Sequence, residues 1–130
     1  MDVRRIGFMA TRTDHFTETT GFFRDVLGLA TDYEQDDFAM FALPSADHDF
    51  VEIIGPGAEG MEWQAATYTT GPVVSFEVGD LAAARAELEA AGVVLLDDIT
   101  WSGRIAGFGW FHFRGPDGNV YGMQGSRAGG

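Results

Sequence analysis

A chain of 130 residues, 45% hydrophobic and 13% aromatic, has the material for one compact core and little more. Twenty acidic residues against eight basic ones leave a formal charge of −12, a field that repels nucleic acid and anionic membrane and attracts cations. There is no cysteine, so disulfides, thiolate metal ligands and a cysteine nucleophile are excluded, and carboxylate, imidazole and hydroxyl chemistry remains. No run approaches the ~20 apolar residues of a membrane span, and no charged-then-apolar leader opens the chain. Together these predict a cytoplasmic protein.

In chain order, Arg4 to Thr11 reads as a strand, with Thr17 as the cap of the following helix and Glu18 against its positive end. Phe22, Phe23, Val26 and Leu27 form the apolar stripe of that helix, and Gly28 supplies a left-handed stop. Phe38 to Leu43 and Phe50 to Ile54 read as strands around a polar turn, Pro44 to Asp49. Gly55 to Gly71 is rich in Gly, Ala and Thr, with Met61, Trp63 and Tyr68 embedded, and reads as a linker. Val73 to Val78 is a strand, and Asp80 caps a helix with Leu81, Ala84, Leu88 and Ala91 on one face before Gly92. Three more strands are predicted at Val93 to Ile99, Trp110 to Arg114 and Asn119 to Gln124, with GPDGN as the turn between the last two. Gly103 to Gly109 reads as a flexible flap, and Ser126 to Gly130 as a disordered tail.

Gly28 and Gly92 each close an amphipathic stretch that follows a strand, and almost half the chain separates them. The simplest description is an α+β fold in which one βαβββ unit is used twice. The modules cover about residues 1–56 and 72–125, joined by a linker at about 57–71 within a single domain.

FFRDVLGL, VSFEVGDLAAARAELEAAGV and FRGPDGNVYGM, in that order, resemble the vicinal oxygen chelate superfamily of glyoxalase I, bleomycin-resistance proteins, fosfomycin-resistance enzymes and extradiol dioxygenases. The resemblance covers nearly the whole chain and implies paired βαβββ modules curling around a concave pocket, commonly completed as a homodimer. Its metal enzymes carry a ligand on the first and fourth strand of each module. Counting from the motifs places those positions at Phe8, Glu52, Val73 and Gly122, of which Glu52 alone has a donor atom. A divalent cation needs about three protein donors or more, and the neighbours Gly7, Met9, Val74, Tyr121 and Met123 do not rescue the set. No metal and no other cofactor is therefore expected. Nor do His15, His48 and His112 show a short ligand spacing.

Strand parity places Phe8, Ala10, Arg12, Phe50, Glu52, Val73, Ser75, Glu77, Val120 and Gln124 on the concave face. Aromatic walls with a few polar groups suit a small molecule. Glu52, without a metal, is either a proton-transfer base, an anchor for a cation, or a partner of Arg12. His112 shares a face with Trp110 and Arg114, and either faces the pocket or stacks beneath a neighbouring strand. Trp63, Trp101 and Trp110 are candidates to hold a ligand, since metal-free relatives of the bleomycin-resistance type grip planar cations between aromatic rings.

The reading that follows is metal-independent binding or sequestration of a small, partly aromatic, cationic molecule, as an antibiotic-resistance or carrier protein would perform it. The alternatives are a lyase, isomerase, epimerase or dioxygenase-like enzyme in which Glu52 or His112 moves a proton, and an accessory dimer with a vestigial pocket. A homodimer is expected because a curved sheet leaves edges to cover.

Overall fold

Period-two alternation turns several stretches of this chain into strands, and the computed structural model, which describes residues 1–44 and 49–127, gathers them into two units. One unit runs from Phe8 to Val73; the other takes Val74 onward together with Met1–Gly7.

The first unit holds half of β1 (Val3–Arg12), from Phe8 onward, then α1 (Phe16–Gly21), a π-helical turn (Phe22–Val26), β2 (Ala30–Gln35), β3 (Phe38–Ala42), β4 (Phe50–Ile54) and α2 (Glu62–Thr67). Its strands lie in the order β2-β3-β4-β1, with β1 parallel to β4 and the other pairs antiparallel. Ala39, Phe41, Val51 and Ile53 form the buried layer on one face, packed by Phe16, Phe23 and Leu29. Phe23 stacks on Phe41 with ring centres 5.9 Å apart.

Several local expectations are corrected here. Thr17 is not a cap: α1 begins at Phe16 after His15, without a side-chain cap, and Thr20 bonds back to the Phe16 carbonyl at 2.9 Å. The apolar stripe does not turn inward as a whole, because the Leu27 amide reaches back five residues to Phe22 at 3.0 Å. That wider turn breaks the 3.6-residue spacing, leaving Phe22, Val26 and Leu27 exposed while Phe23 packs. β2, exposed throughout its length, carries no apolar alternation to announce it. The linker contains a helix, α2, tied by the Arg12 guanidinium donating to the Ala65 carbonyl at 3.1 Å. His48 and most of the predicted turn around it lie outside the described residues.

The second unit holds β5 (Val73–Val78, from Val74), α3 (Leu81–Ala90), β6 (Val94–Leu95), β7 (Thr100–Trp101), β8 (Phe108–Arg114) and β9 (Val120–Ser126). Its order is β5-β9-β8-β6, with β7 also pairing β8. β5 and β9 are parallel, as β1 and β4 are, so the βαβββ pattern occurs twice. Asp80 caps α3 by accepting from the Ala83 amide at 3.0 Å, and Gly28 and Gly92 both sit at positive φ, +71° and +79°. Val78, Leu81, Ala84, Phe111 and Met123 make the buried layer under α3.

The single strand expected over Val93 to Ile99 is split. Asp97 leaves the ladder, and its carboxylate takes the His112 amide, at 2.6 Å, that a continuing strand would have bonded. Arg85 fixes the same bend by donating to the Asp97 carbonyl at 2.8 Å. Of the tail expected from Ser126, Ser126 itself ends β9 and Arg127 lies over the Trp101 ring at 4.2 Å, and the rest lies outside the described residues.

Candidate functional site

The strand register decides which side chains share a face. In the first unit Phe8 pairs with Phe50, Ala10 with Glu52 and Arg12 with Ile54, while Met40 pairs with Glu52 from the other side. Glu52 therefore stands between Ala10 and Met40, on the face opposite the Phe41 layer. The carboxylate is 8% exposed, and among the described residues it has no hydrogen-bond or ion-pair partner. Burial alone, which disfavours the charged form, pushes its pKa from 4.5 up to about 7.

Arg12, one of the readings offered for Glu52, is engaged elsewhere: it pairs with Asp14 at 2.8 Å and bonds the Ala65 carbonyl. It lines a hollow of about 330 Å³ with Tyr68 and Thr69. A second hollow, of about 380 Å³, lies against Phe76, Phe113 and Tyr121. Neither is lined by Glu52, which stands on the sheet face rather than in these hollows. Phe8 and Phe50 are half-buried, and Val73 is fully buried. Trp63, 37% exposed on α2, meets Tyr68 edge-on at 6.3 Å.

In the second unit Ser75 pairs with Gly122, Glu77 with Gln124, Trp110 with Gln124 and His112 with Gly122. This face is polar. His112 is buried and fixed twice by one carboxylate, its amide and its Nδ1 meeting Asp97 at 2.6 and 2.7 Å. Glu77 is held by Arg5 through paired contacts of 3.1 and 3.2 Å. Ser75 and Gln124 are buried, yet among the described residues Ser75 Oγ and Gln124 Oε1 have no hydrogen-bond partner. Trp110 tilts against Phe108 at 6.4 Å. Trp101 lies on the other side, against the α3 layer, and stands apart from this group.

Asp97 is a member of this polar group that the sequence did not disclose. It lies fifteen residues from His112, joined to it by a strand break that no local motif announces. Nor did the sequence disclose the close approach at Gly7: a Cβ there would collide with the Gln124 amide.

In the register Ala10 lies beside Glu52, with Phe8 two residues back along β1, and Ser75 lies beside Gly122, with Val73 two residues back along β5. Phe8, Ala10, Val73 and Gly122 have no side-chain donor, and no group of three or more His, Asp or Glu suited to a metal occurs among the described residues. This donor set does not fit a divalent cation.

Two βαβββ modules, each with a helix-packed layer and an opposite face bearing isolated acid–base groups, define an α+β protein of the glyoxalase type. The glyoxalase/bleomycin resistance protein/dioxygenase superfamily model matches residues 5–121, and the chain belongs to that superfamily. Among solved structures it is similar to a member of the superfamily from Vibrio splendidus 12B01 (20% identity, 96% of this chain and 100% of that one, TM-score 0.69). It is also similar to methylmalonyl-CoA epimerase of Streptomyces coelicolor (20% identity, 98% and 100%, TM-score 0.69). A third likeness is to the Mn(II)-bound glyoxalase of Novosphingobium aromaticivorans (21% identity, 95% of this chain but 39% of that one, TM-score 0.71). No curated protein matches the chain.

Proposed function

We propose that this protein binds a small, partly aromatic, cationic molecule without a metal ion, Glu52 being the anchor. The observation that carries the reading is a carboxyl group buried among Ala10, Met40 and their neighbours with no counter-charge among the described residues. Such a group is costly to ionise alone and gains most from an incoming cation. The formal charge of −12 steers cations toward the protein, and Phe8, Phe50 and Trp63 supply aromatic surface in the same unit. The reading extends to a cytoplasmic homodimer of the antibiotic-resistance or carrier kind, with no nucleic-acid or membrane partner. Titration with a panel of cationic aromatic amines, read by tryptophan quenching, tests it. Affinity should rise as pH increases through about 7, where Glu52 ionises, and Glu52→Gln should weaken binding by about tenfold or more. Silence across the panel would count against sequestration.

A second reading has its own support. A carboxyl group with a pKa of about 7 is matched to general acid–base work near neutrality, and His112, oriented by Asp97 at 2.7 Å, offers another proton carrier. In this reading the protein is a proton-transfer enzyme of the epimerase or isomerase kind, using its own side chains. Deuterium uptake from solvent at carbon next to a carbonyl, abolished by Glu52→Gln or His112→Gln, would select it over pure binding.

A further inference from the structure

We propose that Asp117–Gly118, in the turn between β8 and β9, is a latent site of covalent self-modification, isomerisation through a succinimide, which the Tyr121 hydroxyl holds closed in the folded chain. The proposal depends neither on Glu52 nor on any ligand.

The turn itself creates the weak point. Gly118 stands at φ +83°, a left-handed angle that favours glycine, and the Asp117 carboxylate accepts from the Asn119 amide at 3.0 Å. Aspartate followed by glycine is what such a turn selects. It is also the pair most open to ring closure, because glycine places no Cβ beside its own nitrogen. Asp117 is the only aspartate in the chain followed by glycine, and the single asparagine, Asn119, precedes valine. The lability is thus concentrated at one place.

The reaction needs no co-reactant. The Gly118 main-chain nitrogen bonds to Asp117 Cγ, the Cγ–OH bond breaks, and the hydroxyl leaves as water with the amide proton. Water then opens the ring at either carbonyl. Opening at Cγ restores aspartate, whereas opening at the main-chain carbonyl routes the backbone through Cβ and Cγ and lengthens it by a carbon atom. A turn in which the Gly115 amide meets the Asn119 carbonyl at 2.9 Å would lose that closure.

Contacts within the turn and from β9 oppose the attack. The Gly118 amide donates to the Gly115 carbonyl at 3.0 Å, which occupies the nucleophile. Asp117 Oδ1 is taken by the Asn119 amide and Oδ2 by the Tyr121 hydroxyl at 2.6 Å, which ties Cγ in place. The Tyr121 hydroxyl, and after it the Asn119 amide, also holds the carboxyl below the usual range, and an ionised carboxylate has no hydroxyl to lose. Tyr121 alone among these comes from outside the turn. Its ring is stacked on Phe76 at 6.4 Å and on Phe113 at 5.8 Å, so sheet packing sets where the guarding hydroxyl stands.

The test incubates the full chain at neutral pH in heavy-oxygen water, with and without urea, and measures isoaspartate and oxygen label at Asp117 by peptide mass mapping. Tyr121→Phe keeps the ring and removes the hydroxyl; Asp80→Ala weakens the start of α3 and leaves the turn untouched. In urea every chain should label at the same rate. Without urea the wild type should label about tenfold more slowly than when unfolded, and Tyr121→Phe about threefold or more faster than the wild type, as loss of a hydrogen bond to a charged group implies. Asp80→Ala should stay at the wild-type rate, which separates the hydroxyl from general loosening. Folded wild type labelling as fast as the unfolded chain, Tyr121→Phe no faster than wild type, or Asp80→Ala as fast as Tyr121→Phe would each overturn the proposal.

Discussion

The two modules share one scaffold and treat the face away from their helices in opposite ways. In the first, Phe8, Ala10, Met40, Phe50 and Ile54 share a face with one carboxyl group that has no partner among the described residues. In the second, Ser75, Glu77, His112 and Gln124 share the face, with Glu77 matched by Arg5 and His112 by Asp97. Their helix-side layers, by contrast, are alike: Phe41 and Phe111 are both completely buried, each among aliphatic and aromatic neighbours. Repetition preserved the packing that any βαβββ unit requires and left the opposite face free to diverge, which is where ligand chemistry can be placed without cost to the core.

The comparison breaks first if the two cores are unequal. Phe41→Ala and Phe111→Ala should each cost about 3–5 kcal/mol in urea unfolding, and a large asymmetry would contradict the likeness of the layers. Next comes the lone carboxyl. The unfolded chain releases the Glu52 proton near 4.5 and the folded chain near 7, so the stability present below pH 4.5 is lost progressively as pH rises from there to about 7. The loss is on the order of 3 kcal/mol. Glu52→Gln should therefore raise stability above pH 7 by about that amount and remove this pH dependence, whereas Glu77→Gln, which breaks the Arg5 pair, should not raise it.

Gly122→Ala should destabilise by about 1–3 kcal/mol, because its Cβ would lie 2.9 Å from Ser75 Oγ and 3.1 Å from Ser75 Cβ. The smallest contrast concerns the helix starts. Asp80→Ala removes the bond to the Ala83 amide and should cost about 1 kcal/mol, whereas Thr17→Ala should change little, since α1 has no side-chain cap.

Much of the fold was legible because its signals are local. The alternation in Val73–Val78 and the Asp80 cap before the Leu81, Ala84 stripe each lie within a few residues, and the GPDGN turn closes on itself through the Gly115 amide and Asn119 carbonyl at 2.9 Å. What failed depended on distance or on atypical geometry. β2 is polar on both faces, and the π-helical turn discards the periodicity on which the Phe22–Leu27 stripe relied. Parity sorted the faces correctly, but the register offset that sets Ala10 rather than Phe8 against Glu52 is fixed by strand pairing, which one sequence does not encode locally. The Asp97–His112 contact was hidden for the same reason, and Trp101, attractive beside a Gly-rich segment, was drawn to the α3 layer.

The central claim is that Glu52 is a buried carboxyl group without a counter-charge, and carbon-detected NMR titration of its side chain measures this directly. The account predicts a midpoint near pH 7. A midpoint near the ordinary 4.5 would mean that water or a cationic partner reaches the group, and would contradict it.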